Sequence, residues 1–217
     1  MRRTSILLVD DHPVVRAGYR KLLERQPGYR VVAEAESANE AYRVYRQMAP
    51  DIVIMDLSLP GASGLEGIRQ IRAYDREARI LVFTMHQGVP FAHKAFEAGA
   101  VGYVTKSSPP NELIKAMESV CRGVQAVSED LAREIATAHL SGRRSPIDDL
   151  GPREVEVLGL IASGMTTDGI AKELSLSPKT IQNYSSSIKA KLNIQSDADL
   201  IWLAISNGLI ENKSPTM

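Results

Sequence analysis

Three aspartates, Asp10, Asp11 and Asp56, one threonine, Thr84, and one lysine, Lys106, each end or directly follow a short aliphatic run. Singly they are unremarkable, since an Asp there often caps the next helix and a Lys is often solvated. Together they suggest a reaction. Carboxylates gathered at one place raise each other's pKa unless a cation intervenes. A hard divalent ion fits that need, and Mg²⁺ typically takes one or two carboxylates, waters and a phosphate oxygen. Beside it a carboxylate can attack a phosphoryl group and become an acyl phosphate. The ion and the lysine would neutralise charge on the transferred group. Nothing else in the chain competes for this role. The four histidines, His12, His86, His93 and His139, lack metal-ligand spacing. The single cysteine, Cys121, permits neither an internal disulfide nor a thiolate cage and reads as a buried helix residue.

For these side chains to meet, the runs that carry them must be neighbouring strands. Ser5–Asp10, Arg30–Glu34, Ile52–Asp56, Ile80–Thr84 and Gly102–Thr105 are nearly continuous in Val, Ile and Leu, as suits strands covered on both faces. Helical patterns separate and follow them at Val14–Arg25, Asn39–Met48, Leu65–Tyr74, Pro90–Ala98 and Pro110–Arg122. This alternation predicts an α/β doubly wound parallel sheet with right-handed crossovers. Periodicity does not order its strands. In such sheets ligands bind at the carboxyl edge, near the point where strand order reverses. That is where all five residues fall.

The pattern changes near residue 124. Ser128-Glu129-Asp130 can start a connector helix reaching roughly His139, and Ser141-Gly142-Arg143-Arg144-Ser145-Pro146 has the composition of an exposed linker. From Leu150 only helical periods remain: Pro152–Ser163, Thr167–Leu174, Pro178–Leu192 and Asp197–Asn207. The expected division is 1–123, 124–149 and 150–217, with an all-α third part. Ser175-Leu176-Ser177 makes a tight turn, and Ser177 before Pro178 is a strong N-cap signal, so a helix-turn-helix is expected. Pro178–Lys191 contains no acid but has Lys179, Lys189 and Lys191. That suits a major groove bordered by phosphates, and equally an ordinary solvated helix.

The 217 residues carry 26 basic and 26 acidic side chains, which argues against a non-specific nucleic-acid coat but not against a small basic reading face. No stretch reaches transmembrane length, and the apolar run after Arg3 is too short for a secretory signal. A cytoplasmic protein without a membrane partner is expected.

VDDHPVVRAG, MDLSLPGASGLEGI, FTMH and GYVTKSSPPNEL resemble the receiver domains of two-component response regulators over roughly residues 4–122. The resemblance implies a flavodoxin-like sheet of order 2-1-3-4-5. It implies a phosphoryl group received on Asp56 from a sensor histidine kinase. Mg²⁺ would be bound by Asp11, Asp56 and the Ser58 carbonyl, with Asp10 acting through water. Lys106 would contact the phosphoryl oxygens, Thr84 would swing its hydroxyl toward them, and Tyr103 would turn inward behind it. Two details belong to this chain. Met85 either shades the phosphoryl site or simply packs. Lys106 precedes Ser107 where many receivers have Pro, so a trans bond is expected, because cis costs ~3 kcal/mol without proline.

Residues 150–210 are similar to the LuxR-type four-helix DNA-binding domain, and the whole chain resembles the NarL/FixJ class of transcription regulators. The recognition helix would be Pro178–Leu192. Gln182, Asn183 and Ser186 would face bases, and Lys179, Thr180 and Lys189 phosphates. Gln and Asn suit bidentate bonds to adenine, so A·T pairs are expected in each half-site of double-stranded DNA. The chain departs from the family at Gly151 (usually Thr), Gly169 (commonly Glu) and Tyr184 (more often His). With no basic excess, one copy should bind DNA weakly, and a homodimer would double its phosphate contacts. Leu200, Leu203 and Asn207 either form a two-fold seam or close the domain core. Phosphorylation would favour a state that releases the helix-turn-helix or pairs receivers. Two rivals remain: a Mg²⁺-dependent phosphatase, which usually wants a second acid shortly after its nucleophile, and a small-molecule sensor, against which the charged edge argues.

Overall fold

The computed structural model describes residues 3–141, 146–207 and 209–210. Positions 142–145 of the expected linker and the terminal 211–217 lie outside the described residues. The chain divides into two compact units, residues 1–86 with 94–129 and residues 87–93 with 130–217.

In the first unit the aliphatic runs become β1 (Thr4–Val9), β2 (Tyr29–Ala35), β3 (Ile52–Met55), β4 (Ile80–Thr84) and β5 (Gly102–Thr105). Between and after them along the chain come α1 (Pro13–Glu24), α2 (Ala38–Met48), α3 (Gly64–Tyr74), α4 (Val89–Ala98, of which this unit takes the part from Lys94) and α5 (Pro110–Cys121). Ser37 and Ser63 start α2 and α3 by accepting the Glu40 and Glu66 amides, satisfying donors the first turn leaves open. Ala49 ends α2 in the left-handed region at φ 42°. All strand pairs are parallel. The order is β2-β1-β3-β4-β5, with one further strand, β6 (Ala126–Val127), beyond β5. The sequence reading did not include β6. Two residues carry no strand period, and it is tertiary pairing with β5, including the bonds Ala126 N–H to Val101 O and Ser128 N–H to Tyr103 O (3.2 and 3.1 Å), that holds that segment to the sheet.

Every residue of Ile6–Val9, Ile52–Met55 and Ile80–Thr84 is buried, which is why these runs lack polar alternation. Ile6, Leu8, Ile54, Leu81 and Phe83 pack on Leu23 of α1 and on Leu113, Met117 and Val120 of α5. Tyr19 meets Phe83 edge-on at 4.5 Å between ring centroids. Chain reversal falls between β1 and β3, since β1 leads outward to β2 and the chain returns through β3. The carboxyl ends of these two central strands therefore flank the crevice.

The second unit is helical: α6 (Glu129–Ser141), a short 3₁₀ turn at Pro146–Asp149, α7 (Pro152–Ala162), α8 (Thr167–Glu173), α9 (Pro178–Leu192) and α10 (Asp197–Ser206). Thr166, Ser177 and Ser196 cap α8, α9 and α10 through the Gly169, Thr180 and Asp199 amides. Gly151 brings no side-chain cap to α7. Instead Glu154 reaches back to the Gly151 N–H at 2.6 Å. Val155, Leu158, Ile170, Ile181, Ile188, Leu200 and Ala204 are buried. Leu200 thus closes the core, while Leu203 and Asn207 are half-buried.

Candidate functional site

β1, β3, β4 and β5 end side by side, so the residues at their ends meet. Asp10 and Asp56 are 2% and 3% exposed, and Thr84 is fully buried. Lys106 Nζ donates to Asp10 Oδ2 and to Asp56 Oδ2, each at 2.5 Å. Two buried carboxylates thus share one ammonium, the pairing that burial of charge demands. Burial pushes the Asp56 carboxyl above its ordinary range, Asp10 adds to the rise, and Lys106 and the Thr84 hydroxyl pull against it. Burial works against the Lys106 charge, but the attraction of Asp56 and bonds to both carboxylates outweigh it, so the ammonium holds its proton.

Asp11 behaves differently. Its Oδ1 is buried and has no hydrogen-bond partner among the described residues. His12 Nδ1 lies 2.7 Å from that oxygen but without hydrogen-bond alignment. Asp10, Asp11 and His12 each offer one ligand atom, all within 4.8 Å of one another. A buried carboxylate oxygen without a donor, next to a second buried acid, is a donor set suited to a hard cation. The Ser58 amide donates to Asp56 Oδ1 at 3.3 Å, which turns the loop after β3 back over the acid.

Tyr103 is completely buried and occupies the inward position, its hydroxyl donating to the His86 carbonyl at 3.0 Å. Burial, with Asp56 nearby, pushes its phenol well above the usual value. The Lys106–Ser107 bond is trans. Met85 is 63% exposed, so it does not pack into the core.

In the second unit α9 presents Lys179, Gln182, Asn183 and Ser186 to solvent, with Thr180 and Lys189 half-buried. The Ser186 hydroxyl donates to Gln182 O at 2.9 Å, leaving its oxygen as an acceptor. Thr180 lies 2.8 Å from the capping Ser177 hydroxyl. Lys189 pairs with Asp197 at 2.7 Å. Lys191 is turned inward at its tip, bonding the buried Glu154 at 2.6 Å.

The receiver-domain family of response regulators matches residues 6–118, and the luxR family of bacterial regulatory proteins matches 148–204. The chain is 38% identical over 207 residues to the response regulator UvrY of Escherichia coli, covering 94% of this chain and 95% of that one. With the response regulator GacA of Pseudomonas aeruginosa it shares 33% over 212 residues, 97% and 99% of the two chains. The chain belongs to the NarL/FixJ class of response regulators. Among solved structures, a LuxR-family response regulator from an Aurantimonas species is 62% identical over 64% of this chain and 99% of its own, with a TM-score of 0.63. RcsB of Salmonella enterica serovar Typhimurium, bound to a promoter with the phosphomimetic BeF₃⁻, is 29% identical over 94% and 100% of the chains, with a TM-score of 0.68. The response regulator is therefore a non-enzymatic transcription factor with a LuxR-type DNA-binding domain.

Several residues of the response regulator's two sites escaped the sequence reading. His86, set aside for want of metal spacing, ties three strand ends together. Its ring lies 2.9 Å from the Ser58 hydroxyl, its amide donates to Thr84 Oγ1 at 3.4 Å, and its carbonyl accepts Tyr103. Gly64 lets α3 approach the end of β3, since a Cβ there would lie 1.9 Å from the Asp56 carbonyl oxygen. Glu154 accepts from Gly151 N–H, Ser187 Oγ and Lys191 Nζ, which fixes α9 to the start of α7. Burial opposes its charge, but the bonds from Lys191, Gly151 and Ser187 prevail and hold its carboxyl below the usual range. For Gly64 the only sequence signal is the Ser-Gly pair in the SGLEGI motif, and for Glu154 it is an acid three residues past a glycine.

Proposed function

We propose that the response regulator accepts a phosphoryl group on Asp56 and transmits that change to sequence-specific DNA binding. An Asp56 carboxylate oxygen attacks the phosphorus of a phosphohistidine on a sensor histidine kinase. The P–O bond forms as the P–N bond breaks, and the imidazole keeps the bonding pair and takes a proton. Asp11, Asp56 and the Ser58 carbonyl would hold Mg²⁺, with Asp10 contributing through a water. When bound, that ion supplies charge neutralisation for the transferred group. Lys106 contributes the second positive charge, and Thr84 donates a hydroxyl to the phosphoryl oxygens while Tyr103 fills the space behind it. The observation that carries this reading is the buried Asp56, joined through Lys106 to Asp10, beside an Asp11 oxygen that lacks a donor.

On DNA, Gln182, Asn183 and Ser186 read base edges in the major groove while Lys179, Thr180 and Lys189 contact phosphates. The exposure of Lys179, Gln182, Asn183 and Ser186 along one helix supports this assignment. Two copies bind a (pseudo)palindrome as a homodimer, which offsets the small number of basic contacts per copy. Residues 1–123 act as receiver, 124–149 as connector and 150–217 as the DNA-binding domain. No helix among the described residues is long and apolar enough to cross a membrane, and we assign the protein to the cytoplasm. Operator binding by phosphorylated, unphosphorylated and Asp56→Asn protein tests the switch. Phosphorylated protein is expected to bind tighter than the other two, and equal affinities would reject it. Asn183→Ala should lose preference at an A·T pair across single-base operator variants, and an unchanged preference would reject the base assignment.

A further inference from the structure

Arg16 stands in the first turn of α1, where an arginine is ordinarily solvated. It is instead 7% exposed. A buried guanidinium must be paired and hydrogen-bonded, and this one is engaged at three nitrogens. Nε donates to Glu34 Oε2 at 3.2 Å, Nη2 to Glu36 Oε1 at 2.5 Å and Nη1 to the main-chain oxygen of Asp10 at 2.5 Å. The other oxygen of Glu34 accepts Arg20 Nη1 at 2.8 Å, so that carboxylate is itself fixed. The fork thus joins the end of β1 to the end of β2.

The reason lies in the ladder. β1 and β2 remain in register to Val9 and Ala35, and the Asp10 amide still donates to Ala35 O at 3.1 Å. Beyond that point β2 departs into α2, and Arg16 supplies the Asp10 carbonyl with a side-chain donor in place of a ladder amide. That carbonyl belongs to the Asp10–Asp11 peptide unit. Arg16 holds that unit by its carbonyl, while the bond from the Asp10 amide to Ala35 O holds the preceding one. Together they set the direction in which Asp11 leaves the strand, and hence where its carboxylate points. The two glutamates also balance the arginine's charge, so a cation near Asp11 meets little repulsion from it.

We propose that Arg16 is a positioning residue for the acidic pocket: by locking the Asp10–Asp11 peptide it sets the affinity of Asp11 and its neighbours for Mg²⁺. The inference rests on the Mg²⁺ site proposed above. The role needs the planar fork rather than charge alone, because a lysine is a point charge that cannot direct three bonds in one plane.

The test is a Mg²⁺ titration of the full-length protein, followed by the amide chemical shifts of Asp11 and Ser58, with melting temperature measured alongside. Residues that orient metal ligands typically contribute about 10- to 100-fold to affinity. Arg16→Lys is expected to raise the Mg²⁺ dissociation constant about tenfold while the protein remains folded. Affinity equal to wild type, whether or not the melting temperature falls, would overturn the inference. If Arg16→Lys does not fold, Glu36→Gln, which loosens one arm of the fork from the surface, is expected to weaken binding in the same direction, and unchanged affinity there overturns it. Wild-type protein that shows no Mg²⁺-dependent shift would instead overturn the metal site itself.

Discussion

Gly64→Ala would place a methyl carbon 1.9 Å from the Asp56 carbonyl oxygen and 2.8 Å from Leu57 Cα. Both are backbone atoms, so no side chain can rotate away. Comfortable contact needs roughly 3.5 Å, so the start of α3 and the end of β3 must separate by about 1.5 Å. Overpacking of this kind costs ~1–3 kcal/mol. The separation also breaks the Gly64 N–H bond to Leu57 O, now 2.9 Å, which contributes ~1 kcal/mol. The receiver should therefore lose about 3 kcal/mol and melt about 10 °C lower. The displaced peptide is that of Asp56, the proposed phosphoacceptor, and a misplacement of about 1 Å at a reacting group costs roughly 100-fold in rate. A time course of phosphoryl incorporation from a small acyl phosphate, read beside thermal melts, measures both effects. A variant phosphorylated at the wild-type rate would refute the argument that Gly64 is required for placing Asp56.

Met85→Ala removes an exposed side chain next to Thr84, and water should then reach phospho-Asp56 more freely. Its half-life should shorten about threefold, under 1 kcal/mol on the barrier, whereas an unchanged half-life rejects shading by Met85. Glu154 has a folded-state pKa below its ordinary value. Its contribution to stability is thus complete above the unfolded-state pKa of about 4.3 and disappears as pH falls through the lower folded-state value. Hydrogen exchange in α7 and α9 should accelerate across that window in wild type and lose this pH dependence in Glu154→Gln. Lys189 must leave its ion pair with Asp197 to reach a phosphate, so Lys189→Ala should weaken operator binding, with the log–log salt slope shallower by about one. Titrations at several salt concentrations that give identical slopes would exclude Lys189 from phosphate contact.

The gathering of the receiver's acids, hydroxyl and lysine was legible because these residues sit at the ends of unbroken aliphatic runs. Asp10, Asp56, Thr84 and Lys106 needed only the rule that parallel strands end together at one edge. The start of α9 was equally plain from Ser177-Pro178. Arg16 and Glu154 could not be read this way. Each looks like a surface charge on an amphipathic helix, and only the tertiary partners reveal that it is buried. His86 was hidden for a similar reason, since its work is done through a backbone carbonyl and a ring bond to a loop distant in sequence. The lysines of α9 show the reverse case. Lys179, Lys189 and Lys191 all read as solvent-facing charges, yet Lys191 bonds Glu154 and Lys189 pairs with Asp197. Strand β6 was missed because two residues have no period.

Tandem mass spectrometry of full-length protein, incubated with a small acyl phosphate and Mg²⁺, asks whether this acid carries the signal. A single phosphoryl adduct on Asp56 is expected, absent from Asp56→Asn and absent when the metal is chelated. An adduct on another residue, none at all, or one formed equally well without metal would contradict it.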